Sequence, residues 1–152
     1  MAIKARYVHT NIVAGDWRAL AAFYVDVLGC QAVPPERHLG GEPLAKATGL
    51  AGAAIEGVHL RLPGCGPGGP TLEVFEYRPQ RAHPSTAPNR PGLGHIAFAV
   101  DDVAAARQAV LKAGGRAVGE VVSLPVSGAG TVTFCYVTDP EGNMIELQQW
   151  SA

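Results

Sequence analysis

Hydrophobic and polar residues alternate along this chain in short runs, and twice the alternation gives way to a helical period. In residues 7–13, Val8, Thr10 and Ile12 fall on one face of an extended strand and Tyr7, His9 and Asn11 on the other, because strand side chains alternate. Asp16 stands where a carboxylate can accept the free amides of a first helical turn. Trp17, Leu20, Tyr24, Val27 and Leu28 then recur at helical spacing until Gly29 ends the run in left-handed backbone. Residues 31–33 begin a second strand. The pattern is weakest over residues 34–52, where Pro43 starts a short helix over 44–48 and Gly49 stops it. Residues 53–62 and 71–77 predict two more strands, parted by a turn-forming run at 63–70. Val58, Leu60 and Leu62 share a face in the first; in the second, Leu72 and Val74 oppose Glu73, Phe75 and Tyr77.

Residues 78–92 hold four prolines and few apolar groups, and read as a linker. The pattern then starts again. Residues 94–100 predict a strand with Ile96, Phe98 and Val100 inward and His95, Ala97 and Ala99 outward. Asp101 or Asp102 caps a helix whose inner stripe is Val103, Ala106, Val110 and Ala113, and Gly114-Gly115 stops it. A weak strand at 116–123, a loop at 125–130, a strand at 131–138, a turn at 139–143 and a strand at 144–150 complete the chain. Strand, helix and strands therefore occur twice, as an internal duplication of a βαβββ unit. An α+β fold follows, as one domain over 1–152 with module 1 at about 6–78, a linker at 79–92 and module 2 at about 93–150.

Composition narrows the function. The 152 residues carry a formal net charge of -1 and only 16% charged side chains, so no basic field suits nucleic acid or a membrane surface. No apolar run approaches a membrane span, and the first residues lack the apolar stretch of a secretory signal. The three cysteines, Cys30, Cys65 and Cys135, are widely spaced. They make neither a disulfide framework nor a thiolate zinc site, and a cytoplasmic location is expected.

His9 opens the first repeat where His95 opens the second, and Glu73 and Glu146 lie in their last strands. Each has apolar neighbours of opposite parity: Val8 and Ile12, Leu72 and Val74, Ile96 and Phe98, Ile145 and Leu147. The neighbours can pack under a helix while the titratable groups point to the other face. On one curved sheet, His9, Glu73, His95 and Glu146 converge. Carboxylates in a partly closed cavity need a partner, and two imidazoles with two carboxylates suit a divalent metal that keeps positions open for substrate oxygens. His59 and Arg61 share a face, either toward a substrate or toward solvent. Asn11, Phe75, Tyr77, Ala97, Met144 and Gln148 share parity with the four and are candidates to line the pocket. His38 and His83, in expected loops, receive no role.

Tyr7-Val8-His9-Thr10, Leu72-Glu73-Val74, Gly94-His95-Ile96-Ala97-Phe98 and the run from Asp139-Pro140-Glu141-Gly142 to Glu146-Leu147 resemble the vicinal oxygen chelate superfamily. That group includes glyoxalase I, methylmalonyl-CoA epimerase, extradiol dioxygenases and bleomycin-resistance proteins. The resemblance implies two paired βαβββ modules in an open, cupped mixed β-sheet with helices on its outer face. It also implies a homodimer and a site formed within one chain or between two. His9, Glu73, His95 and Glu146 fall on the metal ligands of glyoxalase I, with Ni, Co, Zn, Mn and Fe all admissible. The activity implied is a lyase or isomerase that moves a proton on a small carbonyl or thioester substrate, with Glu146, or else Glu73, as base. The alternatives are an Fe(II)-dependent extradiol-type dioxygenase and a metal-free small-molecule binding protein.

Overall fold

In the computed structural model, which describes residues 3–151, the chain divides into two compact units, Met1–Ala82 and His83–Ala152. The division falls inside the proline-rich segment. Among the described residues there are three helices and nine strands, and no helix is long and apolar enough to cross a membrane.

The first unit runs β1 (His9–Val13), α1 (Trp17–Leu28), β2 (Gln31–Gly40), α2 (Glu42–Thr48), β3 (Ala54–Arg61) and β4 (Thr71–Arg78). Its strands lie in the order β1-β4-β3-β2, with β1 parallel to β4 and the other pairs antiparallel. Asp16 caps α1 as the sequence predicts, its Oδ1 accepting from the amides of Arg18 at 3.1 Å and Ala19 at 3.0 Å, and Gly29 closes the helix at φ 73°. The helix lays Trp17, Leu20, Phe23 and Tyr24 on β3 and β4. There Val58 pairs with Val74 and Leu60 with Leu72, all buried. Each such side chain contributes roughly 1.5–3 kcal/mol on leaving water, which fixes strand parity. The odd-numbered residues of β3 and β4 are thereby turned to the opposite face.

The second unit runs β5 (Ile96–Ala99), α3 (Val103–Lys112), β6 (Arg116–Ala117), β7 (Val122–Val126), β8 (Gly130–Thr138) and β9 (Met144–Ser151). Its order is β5-β9-β8-β6, with β7 also on β8 and β5 parallel to β9. The first and last strands thus pair in parallel in both units, so the duplication is visible in the topology. Asp102, not Asp101, caps α3, accepting from the Ala105 amide at 2.9 Å. Val103 and Val110 are buried on its inner side, and Phe98, Val137, Ile145 and Leu147 are buried in the sheet.

Four local expectations are corrected. Strand β1 starts at His9, so Tyr7 and Val8 precede it and are exposed. Strand β2 begins at Gln31 and runs to Gly40 through the segment where the pattern is weakest, with a register shift between Val33 and Arg37 where Pro34 and Pro35 stand. A proline cannot donate to a ladder and is tolerated on an edge strand, which β2 is. His38 therefore lies in a strand rather than a loop. Strand β5 is short, and His95 directly precedes it. The weak strand at 116–123 is two pieces, and β7 runs through Pro125 to Val126, leaving a three-residue turn with Gly128 at φ 79°.

Candidate functional site

In the first unit the face away from α1 carries a row of polar residues in direct register. Asn11 stands opposite Glu73, which stands opposite His59. The Glu73 carboxylate is buried and held from three sides. Asn11 Nδ2 donates to Oε2 at 3.2 Å, His9 Nε2 lies 3.3 Å from Oε2, and His59 Nε2 lies 3.0 Å from Oε1. His59 is itself supported: its Nδ1 is 3.1 Å from Thr71 Oγ1, and its ring meets the Phe75 ring edge-on at 5.7 Å. Burial is the main influence on the His59 imidazole and lowers its pKa; the Glu73 charge opposes this, while Arg37 and His9 add to it. Arg61, the next residue of that face, donates from Nη1 to Gln31 Oε1 at 3.3 Å. Tyr77, half-buried, pairs with Ile55 at the far end.

The second unit repeats the plan with different flanks. Glu146 stands opposite Ala97 on one side and Tyr136 on the other. His95 Nε2 lies 2.8 Å from Glu146 Oε2, and the His95 ring leans on Tyr136 at 5.1 Å. Burial first, and the Glu146 charge second, raise the Tyr136 phenol above its ordinary pKa. Met144 is buried opposite Thr138, and Gln148 accepts from Trp150 Nε1 at 2.7 Å. Tyr136 escaped the sequence reading. The alternation of Phe134 and Tyr136 within residues 131–138 was the available signal.

The turn before β9 sets where Glu146 falls. Asp139, fully buried, accepts from the amides of Glu141 and Asn143 at 2.9 Å each and from Asn143 Nδ2 at 2.8 Å. Two residues of the expected linker are docked on this turn: His83 Nε2 lies 3.1 Å from Asn143 Oδ1, and Thr86 Oγ1 donates to the Gly142 carbonyl at 2.7 Å.

In each unit an imidazole nitrogen and a carboxylate oxygen face each other across a hydrogen-bond distance. These are the donor atoms that divalent cations of intermediate hardness take, with the imidazole neutral, so the residues present fit such an ion by donor type. Thiols do not join them: Cys30 and Cys135 are buried, and burial pushes the Cys30 thiol up to about 11. Among the described residues, no three or more His, Cys, Asp or Glu side chains are grouped so as to hold a metal ion.

The family model described as Glyoxalase/Bleomycin resistance protein/Dioxygenase superfamily matches residues 6–147. A probable lactoylglutathione lyase of Vibrio cholerae is 46% identical over 148 residues, covering 95% of this chain and 90% of that protein. An ethylmalonyl-CoA/methylmalonyl-CoA epimerase of Cereibacter sphaeroides is 27% identical over 144 residues, covering 95% and 97%. The crystal structure of a glyoxalase family protein from Bacillus cereus superposes with a TM-score of 0.75 at 23% identity, covering 100% of this chain and 97% of that one.

Proposed function

The chain belongs to the Glyoxalase/Bleomycin resistance protein/Dioxygenase superfamily, and from that premise we propose that it is a divalent-metal-dependent lyase or isomerase acting by proton transfer on a small carbonyl or thioester compound. The observation that carries this is the recurrence, in both units, of one carboxylate against one imidazole on the sheet face away from the helix: Glu73 with His9, and Glu146 with His95. His9, Glu73, His95 and Glu146 are the proposed protein donors to a divalent metal ion. Such an ion, when bound, polarises a substrate carbonyl and so acidifies the neighbouring C–H.

The two carboxylates then have different work. Glu73 is held by Asn11, His59 and His9, whereas among the described residues Glu146 pairs with His95 alone. The less restrained carboxylate is the one free to turn toward a substrate, so Glu146 is the proposed base. It takes the proton from the carbon beside the carbonyl; reprotonation falls on the former carbonyl carbon in an isomerisation and on the same carbon in an epimerisation. Phe75 and Gln148 occupy the matching positions two residues beyond each carboxylate and border the reacting groups. The similarity to a probable lactoylglutathione lyase and to an ethylmalonyl-CoA/methylmalonyl-CoA epimerase supports this substrate class. The same reading expects a homodimer in the cytoplasm.

The test begins with protein purified without chelators. Elemental analysis should find about one divalent ion per chain, and chelation should abolish lactoylglutathione formation or acyl-CoA epimerisation. Glu146→Gln should lower turnover by ~10²–10⁴, the usual contribution of a positioned base. Protein without metal whose ligand affinity ignores chelators sinks the proposal, as does oxygen consumption with Fe(II) on a catechol.

A further inference from the structure

One group at this face touches a proposed donor of the ion without being a donor itself. His59 sits directly across from Glu73 in the β3–β4 register and reaches Oε1, while the proposed donor His9 faces Oε2. The two carboxylate oxygens are therefore engaged separately. Asn11 Nδ2 reinforces the Oε2 side at 3.2 Å. Because an ionised carboxylate only accepts, the proton between His59 and Glu73 belongs to Nε2. In the neutral ring Nδ1 is then an acceptor, and Thr71 Oγ1 lies 3.1 Å away to donate to it.

The ring cannot easily leave this position. Its edge contact is Phe75, and the Phe75 ring in turn covers Gly57, where a Cβ would sit 2.4 Å from Cδ1. His9 closes the other side, its ring edge-on to His59 at 5.9 Å. Glycine, phenylalanine and threonine thus seat one imidazole against one carboxylate oxygen. His59 Nε2 is turned to Oε1 of Glu73 at 3.0 Å, so its contact with the carboxylate is a hydrogen bond on the side away from His9.

We propose that His59 is a positioning residue that clamps Oε1 of Glu73, fixes the carboxylate's rotation and leaves Oε2 as the single oxygen presented to the metal. The clamp rests on the metal-site reading above. Loss of such an outer partner typically weakens metal affinity ~10–100-fold. Among the described residues the second unit has no counterpart: the register position opposite Glu146 is Tyr136, whose ring leans on His95.

Co2+ binding to the full chain, followed by calorimetry and by the visible ligand-field bands, tests the clamp. His59→Leu should weaken Co2+ ~10–100-fold and alter the bands without abolishing them. His59→Gln, whose amide can still donate, should recover most of the affinity, and Thr71→Val should show a smaller loss. Glu73→Gln should lose more than any of them. Wild-type affinity and bands in His59→Leu overturn the clamp and leave the metal site standing. Loss as complete as in Glu73→Gln, with bands of lower coordination number, makes His59 a ligand and also overturns it. Failure of the wild-type protein to bind Co2+ overturns both readings together. If His59→Leu does not fold, His59→Gln and Thr71→Val decide. In metal-free protein at pH 8, long-range 1H–15N correlations should show the His59 proton on Nε2; a proton on Nδ1 refutes the clamp without any metal.

Discussion

Gly57→Ala tests whether the candidate face depends on the close approach of β3 and β4. An ideal Cβ at Gly57 would lie 2.2 Å from the Val74 carbonyl oxygen, 2.4 Å from Phe75 Cδ1 and 2.9 Å from Phe75 Cα. The ring could swing away, but the oxygen and Cα belong to the facing strand. Clearing them needs a separation of about 1 Å, which breaks or stretches about two ladder bonds at ~1 kcal/mol each. Repacking a filled site adds ~1–3 kcal/mol. A loss of about 3 kcal/mol lowers the melting temperature of a chain this size by roughly 6–12 °C. Gly40→Ala is the control, since its Cβ would meet nothing nearer than the Ala53 oxygen at 3.7 Å. Thermal melts of both variants, with urea unfolding for the free energy, give the comparison. Should Gly57→Ala melt within about 2 °C of Gly40→Ala, the close approach has no energetic weight and the argument for a fixed Phe75 fails with it.

Other expectations follow from single contacts. Asp139→Ala leaves two turn amides and the Asn143 side chain without their carboxylate partner; at ~1–1.5 kcal/mol for each lost bond, about 3–4.5 kcal/mol of stability should disappear in denaturant titrations. Cys65 is half-exposed while Cys30 and Cys135 are buried, with both buried thiols raised in pKa. Iodoacetamide at pH 8 should therefore label Cys65 first by mass spectrometry, and early labelling of Cys30 would contradict the packing beneath α1. Glu36, paired at 2.9 Å with Arg18, has its carboxyl held below the ordinary carboxylate range by that guanidinium. Its stabilising effect is present above the unfolded pKa and is lost as pH falls through the lower folded value. Any difference in melting temperature between wild type and Glu36→Gln should hence shrink below about pH 4.5, and a difference that grows on acidification would reverse the sign.

What could be read from the chain depended on how local the cause was. Asp16, Gly29 and Asp102 act within one helical turn, so capping was legible from a few residues. Strand parity was legible wherever one face is apolar, as in Leu72–Val74 and Ile145–Leu147. It failed where burial ceases to alternate: the ten residues of β2 are nearly all exposed, and two prolines sit inside them. The same weakness hid β7: Val122, Leu124 and Val126 alternate but are all exposed, and Pro125 interrupts them. Parity placed His9 and Glu73 on one face, yet it could not reveal that His59 reaches the same carboxylate. That contact needs the antiparallel register of β3 on β4, a relation between segments separated by the glycine-rich loop at 63–70.

The two units share a strand order and an imidazole–carboxylate pair, but not the residues flanking the carboxylate. Where the first has Asn11 and His59 on either side of Glu73, the second has Ala97 and Tyr136 beside Glu146. A duplicated site with identical flanks would restrain both carboxylates equally. Proton transfer assisted by a cation asks for inequality: one anion that stays put, and one that can gain a proton and turn. Amide and imidazole donors stabilise the charged form and hold its rotation. A methyl group does neither, and a phenol leaning on His95 leaves Glu146 fewer restraints. On the function proposed, exchanging the flanks is the decisive perturbation. Ala97→Asn should restrain Glu146 and slow turnover while leaving metal affinity equal or higher, and Asn11→Ala should weaken the metal with a smaller effect on the proton-transfer step. If both variants change turnover and affinity in parallel, the two carboxylates are equivalent and the division of labour between the units is refuted.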